Sequence, residues 1–172
     1  MKTRMVIIAL AVAALGCNKS GTGPEAGVSH SCTVNLSGAA SGTYDCRPAV
    51  TTWSSLDNTG AFTFAVPASG TVPAISVPIV WDSEPTTRTY TNTDPLAEAD
   101  IRVTNSSGQV WRTTVGNGLP ATGTYSLTFT SVVYNLPEQG GKGYTADGTL
   151  TATLPAVTAT GATAVVILTA TF

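Results

Sequence analysis

Much of the chain alternates between apolar and polar positions. Phe62, Phe64 and Val66 fall on one side of a pleat, with Thr63 and Ala65 on the other. Ile75, Val77, Ile79 and Trp81 repeat the pattern, and Tyr125, Leu127, Phe129, Ser131 and Val133 alternate with Ser126, Thr128, Thr130 and Val132. Further on, Leu150, Ala152 and Leu154 face one way and Thr149, Thr151 and Thr153 the other. A period of two over such runs predicts half-buried β-strands. Cys32–Leu36 and Thr43–Arg47 read as a strand pair around the turn residues 37–42. Val50–Ser54 and Ala61–Val66 flank Leu56-Asp57-Asn58-Thr59-Gly60, a turn with Asn ahead of a late Gly.

Three stretches carry sharper expectations. Pro73 and Pro78 lack an N–H, which predicts that strand 75–81 lies at a sheet edge. Strand 162–172 has Val165 and Ile167 on one face and Val166, Leu168 and Phe172 on the other, which predicts a central or doubly covered strand. The hairpin 99–105 and 109–115 turns at Ser106-Ser107-Gly108. A three-residue loop with Gly108 left-handed sets Val103 opposite Trp111, Ile101 opposite Thr113 and Ala99 opposite Val115, whereas a two-residue loop would put Ile101 opposite Arg112 and mix the faces. Asp94-Pro95-Leu96-Ala97-Glu98-Ala99 is the one helical turn expected, with Asp94 as cap and Pro95 at the first helical position. Pro137–Gly143 reads as a loop. About nine or ten short strands separated by turn signals make an all-β protein, an antiparallel β-sandwich of immunoglobulin-like or jelly-roll-like kind.

Composition narrows the function classes. Charged residues are 10% of the chain, the formal net charge is −2, and hydrophobic residues make up 42%. Such a chain is not a disordered one. Without a basic patch to neutralise phosphates, nucleic acid is not an expected partner. Thr and Val suit pleated, half-buried surfaces.

The N-terminus breaks the alternation. Lys2 and Arg4 precede an apolar run from Met5 to Leu15, then Gly16-Cys17. A basic start, a short apolar stretch and a small residue before the cut form a secretory signal. The run is shorter than the ~20 residues of a spanning helix. Ala14-Leu15-Gly16-Cys17 resembles the lipobox of bacterial lipoproteins, with Ala14 where that family usually has Leu. The resemblance covers the first 17 residues. It implies that residues 1–16 are a signal peptide, that Cys17 is acylated and begins the mature chain, and that Asn18 is compatible with export to the outer membrane. Residues 17–29 then form the acylated cysteine and a Gly/Ser-rich tether, on the order of 20 Å in reach, and residues 30–172 form the β-domain. With Cys17 set aside, Cys32 and Cys46 remain as an even pair across the first hairpin, which in an oxidising compartment reads as a disulfide.

Candidate chemistry is sparse. His30 is the sole histidine, it sits beside the tether, and no Gly-Lys-Ser/Thr loop, HExxH or GxSxG occurs. The expectation is a protein without catalysis and without a cofactor. Asp82, Glu84, Asp94, Glu98 and Asp100 are the carboxylates from which a calcium site or a hydrolytic pair would be drawn. Of the aromatics, Trp81 and Trp111 fall on apolar faces and are expected in the core, while Trp53 and Tyr134 are the surface candidates for stacking on a sugar or anchoring a partner. The C-terminal Phe172 also raises a small outer-membrane β-barrel, against which the Thr-rich outward faces speak. The reading is a lipid-anchored cell-envelope protein, outer membrane in location, whose β-sandwich binds or supports. Its expected partners are the membrane through the anchor and an envelope protein or glycan.

Overall fold

The computed structural model describes residues 31–47, 49–94, 97–116, 122–138 and 141–172. The expected signal segment, Cys17, the expected tether and His30 lie outside the described residues, as do Pro95 and Leu96 of the expected helical turn. The described chain is antiparallel β-sheet with one short 3-10 turn at Thr158–Thr160. Its eleven strands are β1 Thr33–Gly38, β2 Gly42–Asp45, β3 Val50–Ser54, β4 Thr59–Val66, β5 Ala74–Trp81, β6 Thr89–Thr91, β7 Glu98–Thr104, β8 Val110–Val115, β9 Thr124–Glu138, β10 Gly141–Pro155 and β11 Val165–Thr171.

The long ribbon β9–β10 is the spine. Along one edge β10 pairs with β9 throughout. Along its other edge it pairs first with β3, through residues 141–144, and then with β11, through residues 149–155. The sheet therefore splits there into two leaves. One runs β6-β9-β10-β11-β1-β2, and the other leaves β10 through β3 to β4, β5, β7 and β8. Among the described residues the sheet stays open, with β2 and β8 at the ends of its longest path. β8 meets the far end of the spine, where the buried Thr113 hydroxyl donates to the Thr153 carbonyl (2.7 Å) and Val157 N–H to the Val110 carbonyl (2.9 Å).

Register explains the core. Tyr44, Val34, Ala170, Leu150, Leu127 and Tyr90 form one cross-strand row facing the second leaf. The next row, Thr43, Asn35, Thr169, Thr151, Ser126 and Thr91, faces outward without a single charge. Between the leaves the rings interlock. Phe62 lies 5.7 Å from Phe129 and 4.6 Å from Phe172, and Trp81 lies 4.5 Å from Tyr90 and 5.9 Å from Phe129, centroid to centroid. Phe172 is buried in this cluster rather than turned outward.

The β7–β8 hairpin has the expected register, Val103 with Trp111, Ile101 with Thr113 and Ala99 with Val115, and Gly108 is left-handed at φ 77°. The Cys32–Cys46 disulfide closes the first hairpin with a Cα–Cα separation of 5.0 Å.

Four expectations are corrected. β5 is an interior strand between β4 and β7. Its ladder to β7 is interrupted between Ser76 and Ile79, where Pro78 has no N–H to give. β11 is central, as expected, pairing with β1 and β10, and its outer face leaves Val165 and Ile167 exposed. The alternation of β9 breaks at Thr130, where a bulge opposite Asp147–Gly148 turns Val132 toward the core and Val133 to solvent. Glu98 and Ala99 already belong to β7, and the Asp94 carboxylate accepts from the Thr91 N–H (2.5 Å), so the turn precedes a strand rather than a helix. The loop expected at 137–143 is largely strand, because β9 runs to Glu138 and β10 starts at Gly141.

Candidate functional site

The inner face of the sandwich runs out at one end, and the sequence places aromatic and polar side chains there. Residues paired across antiparallel strands project from the same face. Tyr134, Tyr144, Thr51 and Phe62 form one such row, in which Tyr144, Thr51 and Phe62 are buried. One step outward the row is Lys142, Trp53, Gly60 and Trp81. Trp81 is still core, whereas Trp53 and Lys142 are half-exposed. Gly60 is required by the packing, since a Cβ there would collide with the Trp81 indole and the Ser83 carbonyl. That close approach accounts for a glycine inside β4. The left-handed residue of the preceding turn is Asn58, at φ 55°.

Asn58 ties the turn to the end of β5. It accepts from Trp53 Nε1–H (3.3 Å) and donates from Nδ2 to the Asp82 carboxylate (3.4 Å). Lys142 reaches the β5–β6 loop, donating from Nζ to Glu84 Oε1 (2.8 Å), and the Tyr144 hydroxyl donates to the same oxygen. The ammonium of Lys142 also lies 4.9 Å from the Trp53 ring and 5.9 Å from the Tyr134 ring, and Tyr134 meets Tyr144 edge-on at 5.9 Å.

The electrostatics follow from these bonds. The Lys142 hydrogen bond first, and that of Tyr144 next, hold the Glu84 carboxyl below the usual carboxylate range. Since the folded-state value is lowered, the contribution of this network is present at neutral pH and is lost as pH falls through that value. Burial, and then the bond to Glu84, push the Tyr144 phenol well up, so it stays a donor. Asp57, in the same turn, is lowered by hydrogen bonds from Ser54 and Thr59.

The sequence candidates separate clearly. Trp53 and Tyr134, 81 positions apart by their numbers, meet at this end of the sandwich around Lys142. Trp81 and Trp111 are core, each 2% exposed. The five carboxylates do not converge. Asp82 and Glu84 belong to the cluster just described, Asp94 closes a turn with Thr91, and Asp100 is held by Arg112 through two bonds (2.5 and 2.7 Å). Glu98 lies at the start of β7 beside Gly116. Among the described residues no three Asp, Glu, His or Cys side chains come together as metal ligands. Sequence reasoning missed Lys142 and Asn58. The Lys142-Gly143-Tyr144 alternation was the available signal for Lys142, once residues 141–143 are read as strand.

No family model matches the chain, and neither a curated protein nor a solved structure matches it.

Proposed function

We propose that this is a lipid-anchored protein of the cell envelope, held at the outer membrane through an acylated Cys17, whose β-sandwich binds a carbohydrate at the open end of its core. The observation that carries the binding role is the meeting of Trp53 and Tyr134 with Lys142, Tyr144 and Glu84. Tyr134 is 50% exposed, and Leu56 in the adjoining turn is 89% exposed. Sugar rings stack their apolar faces on aromatic rings while their hydroxyls need donors and acceptors. The end of the sandwich offers both, on strands and a short turn rather than on long loops. The anchor rests on Ala14-Leu15-Gly16-Cys17 and on the short apolar run before it.

The test is made on the whole protein from the membrane fraction. Intact mass should give a chain starting at Cys17 with added acyl mass, and a Cys17→Ser variant should lose that mass and leave the membrane. The acylated protein should be retained on envelope polysaccharide, and Trp53→Ala should abolish retention while thermal unfolding is unchanged. An unacylated chain in the soluble fraction contradicts the anchor. Equal retention of wild type and Trp53→Ala contradicts the binding site.

A further inference from the structure

The chain enters the sandwich from the side of its open end. Thr33 shares a cross-strand row with Thr171 and Thr149, and β1 runs from there to Gly38 in the direction that takes β10 from Thr149 to Leu154. The chain before Thr33 therefore comes from the direction of Lys142. From Thr149 back to Lys142, β10 covers about 20 Å at the usual strand rise. The Gly/Ser-rich stretch 17–30 has a matching reach of ~20 Å. An anchor at Cys17 thus brings the open end to a bilayer without stretching the tether, whereas the opposite end reaches it only if the tether doubles back along the domain.

The surface at the open end suits a bilayer. Ser54 pairs with Gly141, so the β3–β4 turn lies beside the start of β10. Leu56 in this turn is the most exposed large apolar side chain among the described residues, and Trp53 and Tyr134 stand at the same end with Lys142 between their rings. Aromatic rings, and lysine on its apolar stem, are the side chains that settle at a membrane–water interface. Toward the other end Val165 and Ile167 are each less than half exposed, and Ile167 is flanked by Ser37 and Thr153. Carboxylates select the kind of surface. Asp57 follows Leu56, and Asp82 is bonded to Asn58 of the same turn. An anionic phospholipid surface repels both, whereas the hydroxyls of an uncharged sugar headgroup can donate to them.

We infer that the open end of the sandwich rests on the bilayer that carries its own anchor, and that the sugar it takes there is the uncharged headgroup of a glycolipid. This rests on the anchor and the carbohydrate site proposed above, and names the source of the sugar. Leu56 enters the headgroup region, Tyr134 and Trp53 meet the sugar rings, and the acyl chains on Cys17 hold the domain at the surface. One leucine is too little to bind a membrane alone, but tethering makes the contact intramolecular, so a weak one suffices.

The experiment places the acylated, 15N-labelled protein in phosphatidylcholine bicelles doped with a lipid that carries a nitroxide on its headgroup, and follows the indole N–H resonances. Trp53 should broaden, while Trp111, bridged to Ala156 toward the opposite end, should stay sharp. Leu56→Ser, a change at an exposed position, should restore most of the Trp53 intensity. Glycolipid extracted from the protein's own membrane and added to unlabelled bicelles should shift the Trp53 resonance. It should do so at a concentration at least about tenfold below that needed of the headgroup sugars cut free from the same lipid, because confinement to one membrane raises effective concentration. Equal broadening of Trp53 and Trp111, or broadening unaltered by Leu56→Ser, overturns the membrane contact and leaves the carbohydrate site standing. Free headgroup sugars as effective as the glycolipid overturn the lipid source. No shift with either form, from a protein whose mass shows the acyl chains, overturns the inference together with the carbohydrate site.

Discussion

Phe129→Ala is expected to destabilise the protein by about 3–5 kcal/mol, the range for deleting a large aromatic from a packed interior. Phe129 is 1% exposed and sits where the two leaves meet. Its ring lies 5.7 Å from Phe62, 5.9 Å from Trp81, 5.6 Å from Tyr90 and 6.0 Å from Phe172, mostly edge to face. Those partners come from β4, β5, β6 and the residue after β11, so no single neighbour can move in to fill the space. Aromatic pairs also contribute about 0.5–1.5 kcal/mol beyond their buried area. Thermal unfolding should show a drop of roughly 10 °C for a domain of this size. Val133→Ala, on the same strand beyond the bulge and 55% exposed, should fall within about 0.5 kcal/mol of wild type. Equal effects for the two variants would contradict the assignment of the bulge at Thr130.

The second large effect belongs to the disulfide. Cys32 and Cys46 are separated by 14 residues, and a bridge closing a loop of that size stabilises by about 3 kcal/mol in the chain-entropy treatment. Its structural role is local. β2 is four residues long, mostly exposed and at the end of the sheet, and beside the bridge the Cys46 N–H donates to the Cys32 carbonyl (2.8 Å). An edge strand so short has little else to hold it. The Cys32→Ala/Cys46→Ala variant should therefore lose about 3 kcal/mol, and amide exchange at residues 43–45 should accelerate more than exchange in β11. Unchanged unfolding of the wild-type protein in strong reductant would contradict this role.

How far the sequence could be read depends on where the information lies. The β7–β8 register was legible because turn length and facial polarity agree within one hairpin. Val103 can pair with Trp111 only if Gly108 takes the left-handed position, which it does. The core faces of β4, β5 and the second half of β10 were legible for the same local reason. β6 was not, since Thr89–Thr91 is three residues with a single buried side chain, and its pairing with β9 is made across the fold. The prolines misled because an interior strand can tolerate Pro78 where its ladder has a gap. Bulges at Thr130 and Asn135 are register shifts against β10, which periodicity within β9 alone does not reveal.

The candidate site was legible only in fragments. Trp53 and Tyr134 stand out as aromatics away from the strongest apolar faces, but what joins them is distant in sequence. Lys142 meets Glu84 across 58 positions and Tyr144 meets it across 60, because β10 pairs with β3 and the β5–β6 loop folds over the same end. The carboxylates near one another in sequence part company for a similar reason. β7 carries Asp100 to Arg112 of the neighbouring strand, while Asp82 and Glu84 remain at the end of β5.

The most direct measurement is a titration followed by the indole N–H resonances of the uniformly 15N-labelled protein. There are three tryptophans. Trp53 is at the open end and bonded to Asn58, and Trp111 is buried far along the chain with its N–H donated to the Thr163 carbonyl (3.2 Å). On addition of a bound oligosaccharide the Trp53 resonance should shift and saturate, while that of Trp111 stays in place. A ligand that binds and moves Trp111 but leaves Trp53 unchanged would contradict the location of the site at the open end of the sandwich.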